Sequence, residues 1–295
     1  MTLSAPHILT EAGWADYQLL DAGNGRKLER YGSMVVERPE PQALWAPSLP
    51  VERWAEAQAV FKNASEREDD EGGQWDFQTQ NPPETWNVSV EGVTMVARFM
   101  AFRHMGIFPE QRPHWMWMKD RIGGKPLKIL NLFAYTGAAS LIAAANGAHV
   151  THVDASKKAI QWAKDNQAAS GLNDKPVRWI LEDARKFVAR EIRRGSKYDG
   201  ILLDPPKYGR GADGEVWKFE TDIGPLMKDC ASLLSDDASF MILTAYALRL
   251  SSSALAHMMK DVAPARGSID HGELWLADET SDRPLPTSLF ARWAA

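Results

Sequence analysis

Four apolar segments in the second half of the chain each run into polar or acidic residues, and no other feature of the sequence limits the fold as tightly. The first ends in Asn131-Leu-Phe-Ala-Tyr-Thr-Gly137. Val150-Thr-His-Val-Asp154 and Ile180-Leu-Glu-Asp183 end on acids, and Asp199-Gly-Ile-Leu-Leu-Asp204-Pro-Pro206 closes the series. Segments with helical spacing separate them. Alternating strands and helices build an open, largely parallel sheet, and polar groups at the carboxyl ends of its strands surround one ligand crevice. The pattern predicts strands at 128–133, 148–153, 177–181, 198–203 and 238–244. It predicts helices at 137–146, 156–170, 184–194, 218–234 and 252–262, with Gly147 and Gly171 at helix C-caps. The tail from Ser268 to Trp293 reads as two strands joined through Asp278–Pro286. Five parallel strands plus a terminal hairpin make a seven-stranded, Rossmann-like α/β sheet.

Residues 1–98 read as a small N-terminal α+β module. Tyr17-Gln-Leu-Leu20, a Gly23-Asn-Gly25 turn, Lys27-Leu-Glu-Arg-Tyr31 and Met34-Val-Val-Glu-Arg38 predict short strands joined by tight turns. Pro39, Pro41, Pro47 and Pro50 then break regular structure. A short helix is predicted from Val51 to Lys62, and Glu66-Arg-Glu-Asp-Asp-Glu-Gly-Gly73 reads as an exposed acidic loop. A second hairpin is predicted from Trp86–Val90, a Glu91-Gly92 turn and Val93–Ala97. Residues 99–126 read as a linker and 127–295 as the α/β domain.

A chain of 295 residues can bury a large core. Its 44% hydrophobic and 25% charged content is ordinary for a globular protein. No apolar run approaches the ~18 residues of a membrane span, and the first seven residues lack the regions of a signal peptide. The lone Cys230 excludes an internal disulfide and a cysteine metal cluster. The seven histidines show no metal-ligand spacing, so no metal is expected. A cytoplasmic protein fits these features best.

The net charge of −5 argues against a protein that coats nucleic acid electrostatically. The charge is uneven, however. Arg98, Arg103, Arg112, Lys119, Arg121, Lys125 and Lys128 are opposed over that stretch only by Glu110 and Asp120. This is either a solvated connector or a rim that tracks phosphates. Seven of the twelve tryptophans precede residue 120. They suit the core of a small module or a homo-oligomer interface. Trp115 and Trp117, set among cations, would alternatively grip single-stranded nucleic acid.

The crevice residues carry their own chemistry. Gly137 lets a ligand approach the backbone at the first turn and starts a helix. The three-glycine dinucleotide fingerprint is absent, which disfavours a pyrophosphate cofactor and a nicotinamide dehydrogenase. Asp154 is placed to accept hydrogen bonds from ribose hydroxyls. Asp183 is placed either for an adenine amino group or as a helix N-cap before Ala184-Arg-Lys186.

Together these motifs resemble class I S-adenosylmethionine-dependent methyltransferases related to ribosomal RNA large-subunit methyltransferase I, without an added RNA-binding domain. The matching segments are Phe102-Arg-His-Met-Gly-Ile-Phe-Pro-Glu-Gln-Arg112, Leu130–Gly137, Val153-Asp-Ala-Ser156, Trp162-Ala-Lys-Asp-Asn166 and Leu203-Asp-Pro-Pro-Lys-Tyr208. Leu19–Glu29 resembles the family's short N-terminal module. The resemblance implies S-adenosylmethionine binding. By similarity, Phe108, Gln111 and Arg112 fold over the cofactor from the linker. Phe133, Tyr135 and Gly137 flank its methionine end, with Asn131 and Thr136 in the same turn. Asp154 and Ser156 hold the ribose and Asp183 the adenine. Phe108 and Tyr135 read equally well as core aromatics.

Methyl transfer needs an aligned nucleophile and little water. By motif position, Asp204, Pro205 and the Pro-Pro carbonyls sit over the methyl as a row of acceptors, and such a row suits an exocyclic amine. Lys207 would stabilise negative charge and Tyr208 would stack on an extruded base; as plain residues both also read as loop flanks. The related enzyme makes 5-methylcytosine, which needs a cysteine thiolate. Here the segment after the fifth strand, Leu243-Thr-Ala-Tyr-Ala-Leu248, has none, and Cys230 has the spacing of a core thiol. Tyr246 stands in the vacant neighbourhood. The expected activity is base methylation in ribosomal RNA. The rivals are methylation of a protein side chain or small molecule, and a non-catalytic cofactor-binding interaction factor.

Overall fold

The computed structural model describes residues 2–64, 72–211 and 214–295. Of the acidic loop expected at 66–73, residues 66–71 lie outside the described residues. The chain divides into two units. One holds residues 1–9, 114–274 and 288–295, the other 10–113 and 275–287.

The elements begin with β1 (Thr2–Leu3) and β2 (His7–Glu11). The second unit then supplies β3 (Tyr17–Gly23), β4 (Arg26–Tyr31), β5 (Met34–Pro39), α1 (Val51–Trp54), β6 (Ala59–Asn63) and β7 (Gly73–Phe77). These five strands form one sheet in sequential order. Asn24 and Gly25 both take positive φ, 53° and 75°, which is what a two-residue hairpin between β3 and β4 demands. The helix expected over Val51–Lys62 is corrected here to the single turn of α1 followed by β6. Ala59 and Phe61 point inward while Val60 and Lys62 do not, and this period of two lets β6 pair with β5 on one side and β7 on the other. A separate hairpin, β8 (Thr85–Val90) with β9 (Val93–Arg98), matches the sequence reading. Residues 275–287 belong to this unit too: Glu279 donates its backbone N–H to Leu19 and the Thr280 hydroxyl donates to the Leu20 carbonyl.

A short 3₁₀ turn at Pro109–Gln111 leads into α2 (Arg112–Ile122), which lies in the stretch expected to be a linker. Trp115, Met118 and Ile122 are buried from this helix at a spacing of three and four. Trp115 is therefore core. Trp117 carries the guanidinium of Arg121 3.5 Å from its ring centroid and that of Arg292 at 4.6 Å.

The first unit is built on β10 (Lys128–Leu132), α3 (Ala138–Ala145), β11 (His149–Asp154), α4 (Lys157–Ala169), β12 (Val177–Leu181), α5 (Ala184–Arg193) and β13 (Gly200–Leu203). A small ribbon follows, β14 (Tyr208–Arg210) with β15 (Val216–Lys218). The chain ends with α6 (Phe219–Ser232), β16 (Phe240–Tyr246), α7 (Ser252–Val262), β17 (Ser268–Leu276) and β18 (Leu285–Ala294). The sheet order is β17-β18-β16-β13-β10-β11-β12, with β18 antiparallel to β16 and the central five strands parallel. β1 and β2 both add to β17, so the sheet has nine strands where seven were expected.

Buried residues run almost without a break along β10, β13 and β16, so both faces of the sheet are covered, as parallel sheets require. Leu130, Leu132, Val153, Ile201, Leu203, Met241 and Leu243 join one core with Phe187 of α5, Ile223 and Met227 of α6, and Leu255 and Met259 of α7. The single cysteine, Cys230, sits fully buried in that cluster, and burial pushes its thiol far above the ordinary range.

Candidate active site

Three parallel strands bring their carboxyl ends side by side. Leu132 lies in register with Val153 of β11 and with Leu203 of β13, so the turn after β10 has Asp154 on one side and Asp204 on the other. That turn is tightly wound. Phe133, Tyr135 and Gly137 take φ of 55°, 48° and 88°. Left-handed backbone is costly for the two aromatic residues, and neighbouring bonds hold it. The Ala134 N–H donates to the Val153 carbonyl, the Gly137 N–H to the Ala134 carbonyl, and Asn166 of α4 donates its side-chain amide to the Thr136 carbonyl at 2.8 Å. A Cβ added at Gly137 would stand 3.1 Å from the Cβ of Ala163. Phe133 and Tyr135 are half-buried, with side chains that reach the surface.

Asp154 accepts the Tyr135 N–H at 2.8 Å on one oxygen and the Ser156 N–H at 2.8 Å on the other. Burial raises its carboxyl above the usual aspartate range, and these two N–H groups oppose the rise without cancelling it. Ser156 in turn caps α4 by accepting the Ala159 N–H. Beneath the turn runs a buried polar chain that sequence reading missed. Asn131 donates to the Ser140 hydroxyl at 2.9 Å, and that hydroxyl lies 3.0 Å from Nδ1 of His152. Burial pushes the His152 imidazole down to about 3, against the opposing Tyr135 carbonyl, so the ring is neutral. Asn131 and Thr136 are thus buried supports of the turn.

Asp183 is the N-cap of α5, its carboxylate accepting the Arg185 and Lys186 N–H groups. Arg185 also reaches Asp183 with its side chain at 3.4 Å, Asp222 at 3.3 Å and the Val216 carbonyl at 3.0 Å. The cap and the ribbon after β13 are therefore tied together.

Asp204 leaves β13 half-buried, Pro205 is buried, and Pro206, Lys207 and Tyr208 are exposed. The Pro206 carbonyl, expected as a free acceptor, already receives the indole N–H of Trp217 at 2.7 Å. The Lys207 carbonyl receives the Phe219 N–H at 3.0 Å. Of the acceptor row, Asp204 and Pro205 are the members that precede these anchors. Trp217 also packs on Phe133, with ring centroids 4.8 Å apart. Tyr246, at the end of β16, is half-buried.

Phe108, Gln111 and Arg112 belong to the other unit. There Phe108 packs on His104 with centroids 5.0 Å apart, and Gln111 is buried. Arg112 holds two carboxylates of its own unit, Glu11 at 3.0 Å and Glu91 at 2.7 Å.

Comparison with known proteins identifies the family. A family model described as S-adenosylmethionine-dependent methyltransferase matches residues 26–227. The chain belongs to that family, and S-adenosylmethionine is its cofactor. Its structure is similar to the crystal structure of a SAM-dependent methyltransferase from Agrobacterium tumefaciens, with a TM-score of 0.95 and 48% identity over 99% of this chain and 95% of that one. Among curated proteins it is 31% identical over 158 residues to ribosomal RNA large subunit methyltransferase K/L of Marinobacter nauticus, covering 52% of this chain and 21% of that one. It is 33% identical over 122 residues to ribosomal RNA large subunit methyltransferase I of Shewanella frigidimarina, covering 41% and 30%. The chain thus spans less than a third of the length of either curated relative. Among the described residues no group of His, Cys, Asp or Glu is arranged to hold a metal ion, and no helix is long and apolar enough to cross a membrane.

Proposed function

We propose that this methyltransferase modifies a base of ribosomal RNA, at an exocyclic nitrogen, in the cytoplasm. The observation that carries the reading is the pairing in register of Leu132 with Leu203, after which the Phe133–Gly137 turn and the Asp204-Pro205 loop leave adjacent strand ends. It sets an acceptor-orienting carboxylate next to a turn suited to the cofactor. The residues fit S-adenosylmethionine: a bare glycine at positive φ leaves room at the backbone, and Asp154 is a carboxylate fixed by two N–H groups. Asp154 and Ser156 would hold the ribose, Phe133, Tyr135 and Gly137 the methionine end, and Asp183 the adenine edge. The bound cofactor supplies an electrophilic methyl on a sulfonium.

In this reading Asp204 and the Pro205 carbonyl accept the hydrogens of the amine, turning its lone pair to the methyl. Tyr208, 49% exposed, offers a face on which the base stacks. The choice of nitrogen follows from the thiol. A carbon-5 reaction needs a thiolate nucleophile, and the only cysteine of the chain is fully buried with its thiol pushed up. The names of the curated relatives support ribosomal RNA as the acceptor.

The test is nucleoside mass spectrometry of ribosomal RNA from cells lacking the protein, complemented with wild type or with Asp204→Ala. A methylated nucleoside that disappears, and returns only with wild type, supports the reading and identifies the atom. An unchanged profile with intact cofactor binding would move the acceptor to a protein side chain or small molecule.

A further inference from the structure

The ribbon after the Asp-Pro-Pro loop has two unlike faces. Tyr208 stands opposite Lys218, Gly209 opposite Trp217, and Arg210 opposite Val216. Opposed residues share a face and neighbours along a strand alternate. Gly209 and Trp217 therefore make one face. Trp217 is buried there, bonded to the Pro206 carbonyl and packed on Phe133. The other face carries Tyr208, Arg210, Val216 and Lys218, and all four are exposed.

That outer face has a definite character. Its four positions hold two cations, an aromatic and an aliphatic residue, with no acid among them. Arg210 Nε donates to the Tyr208 hydroxyl at 3.1 Å, which fixes a guanidinium at the tip of the ring. Lys207, just before the ribbon, adds a third exposed cation. The chain as a whole carries −5, so this cationic face is not a by-product of a basic composition. The ribbon is held by Trp217 on its inner face and by backbone groups, the Val216 carbonyl accepting from Arg185 and the Lys207 carbonyl from Phe219, so its anchoring makes no demand on the outer side chains. Cations interleaved with an aromatic match the demands of a single-stranded nucleic acid: charge for phosphates and a flat surface for a base.

We propose that the outer face of this ribbon is a contact surface for single-stranded RNA, a base lying on Tyr208 while Arg210 and Lys218 take the flanking phosphates. The proposal rests on the reading of RNA as the acceptor and adds to it how the strand is held. Phosphate contacts fix register and orientation, and here they stand a few residues from Asp204. The ribbon would grip the chain on either side of the nucleotide offered to the methyl.

The experiment uses the full chain. A labelled single-stranded RNA of about ten nucleotides is titrated by fluorescence anisotropy at several salt concentrations, with S-adenosylmethionine affinity measured alongside by calorimetry. The variants are Arg210→Gln with Lys218→Gln, and Arg210→Lys as a charge-preserving control. Loss of two phosphate contacts should lower the slope of log K against log salt by about 1.4, at roughly 0.7 per contact on a single strand, and weaken binding about tenfold. Arg210→Lys should keep the wild-type slope, although it alters the bond to Tyr208. Cofactor affinity should stay within about twofold, since none of these residues lies at Asp154 or the Phe133–Gly137 turn. If wild type binds RNA and the double variant keeps its slope, the ribbon proposal falls while the RNA reading stands. Binding of the cofactor but of no RNA by wild type would overturn both. If the double variant loses affinity for an acidic peptide but not for RNA, the surface is a protein contact and the proposal is wrong.

Discussion

The indole N–H of Trp217 meets the carbonyl oxygen of Pro206 at 2.7 Å. One side chain thereby ties the loop that follows β13 to the ribbon beyond it. The same ring lies 4.8 Å from Phe133, so the turn after β10 and the Asp-Pro-Pro loop share one support. Trp217→Phe keeps an aromatic ring in place and removes the donor. It should cost about 1 kcal/mol in urea denaturation, the net worth of one hydrogen bond. The larger effect should fall on turnover. A loop that shifts by a fraction of an ångström misaligns the acceptor, and kcat should drop about tenfold or more. S-adenosylmethionine affinity should change little. Equal losses in kcat and cofactor affinity would show that Trp217 merely supports the fold.

In its proposed role Asp154 should set an acid limit on cofactor binding. Its ionised carboxylate accepts two N–H groups and, in the proposed role, two ribose hydroxyls. Burial raises its pKa, so the folded chain takes up a proton at Asp154 more readily than the unfolded chain does. For a raised carboxyl the sign is plain. The charged form costs stability at neutral pH, and the cost is relieved as pH falls. Cofactor affinity runs the other way, because protonation removes acceptors. Affinity should be flat at neutral pH and should fall on acidification at a pH above the ordinary aspartate range near 3.9. Asp154→Asn should weaken binding about tenfold or more, by turning an amide donor toward a backbone N–H, and should remove this acid limb. Calorimetric titration across pH reads both effects.

Much of the first unit was legible because its strands and helices obey local rules. The strands at Lys128, His149 and Val177 and the helices up to Val262 fall within a residue or two of expectation. Each has its own periodicity, and Gly147 and Gly171 mark helix ends with φ of 99° and 67°. What sequence could not reveal depends on distant partners. β1 pairs with Ser268 and Ile269, far along the chain, and two residues carry no periodicity of their own. The ribbon at Tyr208 needs Trp217 as its anchor, and three-residue strands leave no pattern. A helical start at Val51–Trp54 runs on in sequence without a marked break, and only the alternating burial of Ala59 and Phe61 shows that β6 is a strand. α2 is legible in the spacing of Trp115, Met118 and Ile122, but Arg112, Lys119 and Arg121 crowd the same stretch and give it the composition of a linker. At the site, the N–H groups of Tyr135 and Ser156 on Asp154 depend on how the turn winds, which no spacing in the sequence displays. Asp183 caps α5, one of its two readings, and the Pro206 carbonyl is an acceptor already in use.

Cys230 separates two chemistries. It lies on the buried face of α6, and burial holds its thiol far above neutral pH. A nucleophilic thiolate there is not available. Cys230→Ala should leave kcat within about twofold while lowering stability by about 1 kcal/mol, as expected for a small deletion in a packed core. Loss of transfer with the fold intact would restore a covalent carbon-5 route.

The second unit stands on a buried ion pair, and its removal should be severe. Glu29 is fully buried and accepts four hydrogen bonds: from the hydroxyls of Tyr17 at 2.9 Å and Tyr31 at 3.1 Å, and from Nε and Nη2 of Arg38 at 2.8 and 2.6 Å. Arg38 spends a further N–H on the Arg103 carbonyl at 2.7 Å. Burial alone would raise the Glu29 carboxyl, but Arg38 and Lys27 outweigh it and hold it below the usual range. A depressed carboxyl contributes stability that is present above its unfolded pKa and lost as pH falls through the folded one. Acid unfolding of this unit should therefore begin below about pH 4.3, the ordinary glutamate value. Glu29→Gln strands Arg38 in the interior and should cost about 3–5 kcal/mol. Adding Arg38→Met should recover part of that loss, since an unpaired buried charge is worse than an apolar side chain of similar length. Thermal denaturation of the single and double variants decides the matter: a double variant no more stable than Glu29→Gln would mean that Arg38 serves the unit through Arg103 and Tyr31 more than through its charge.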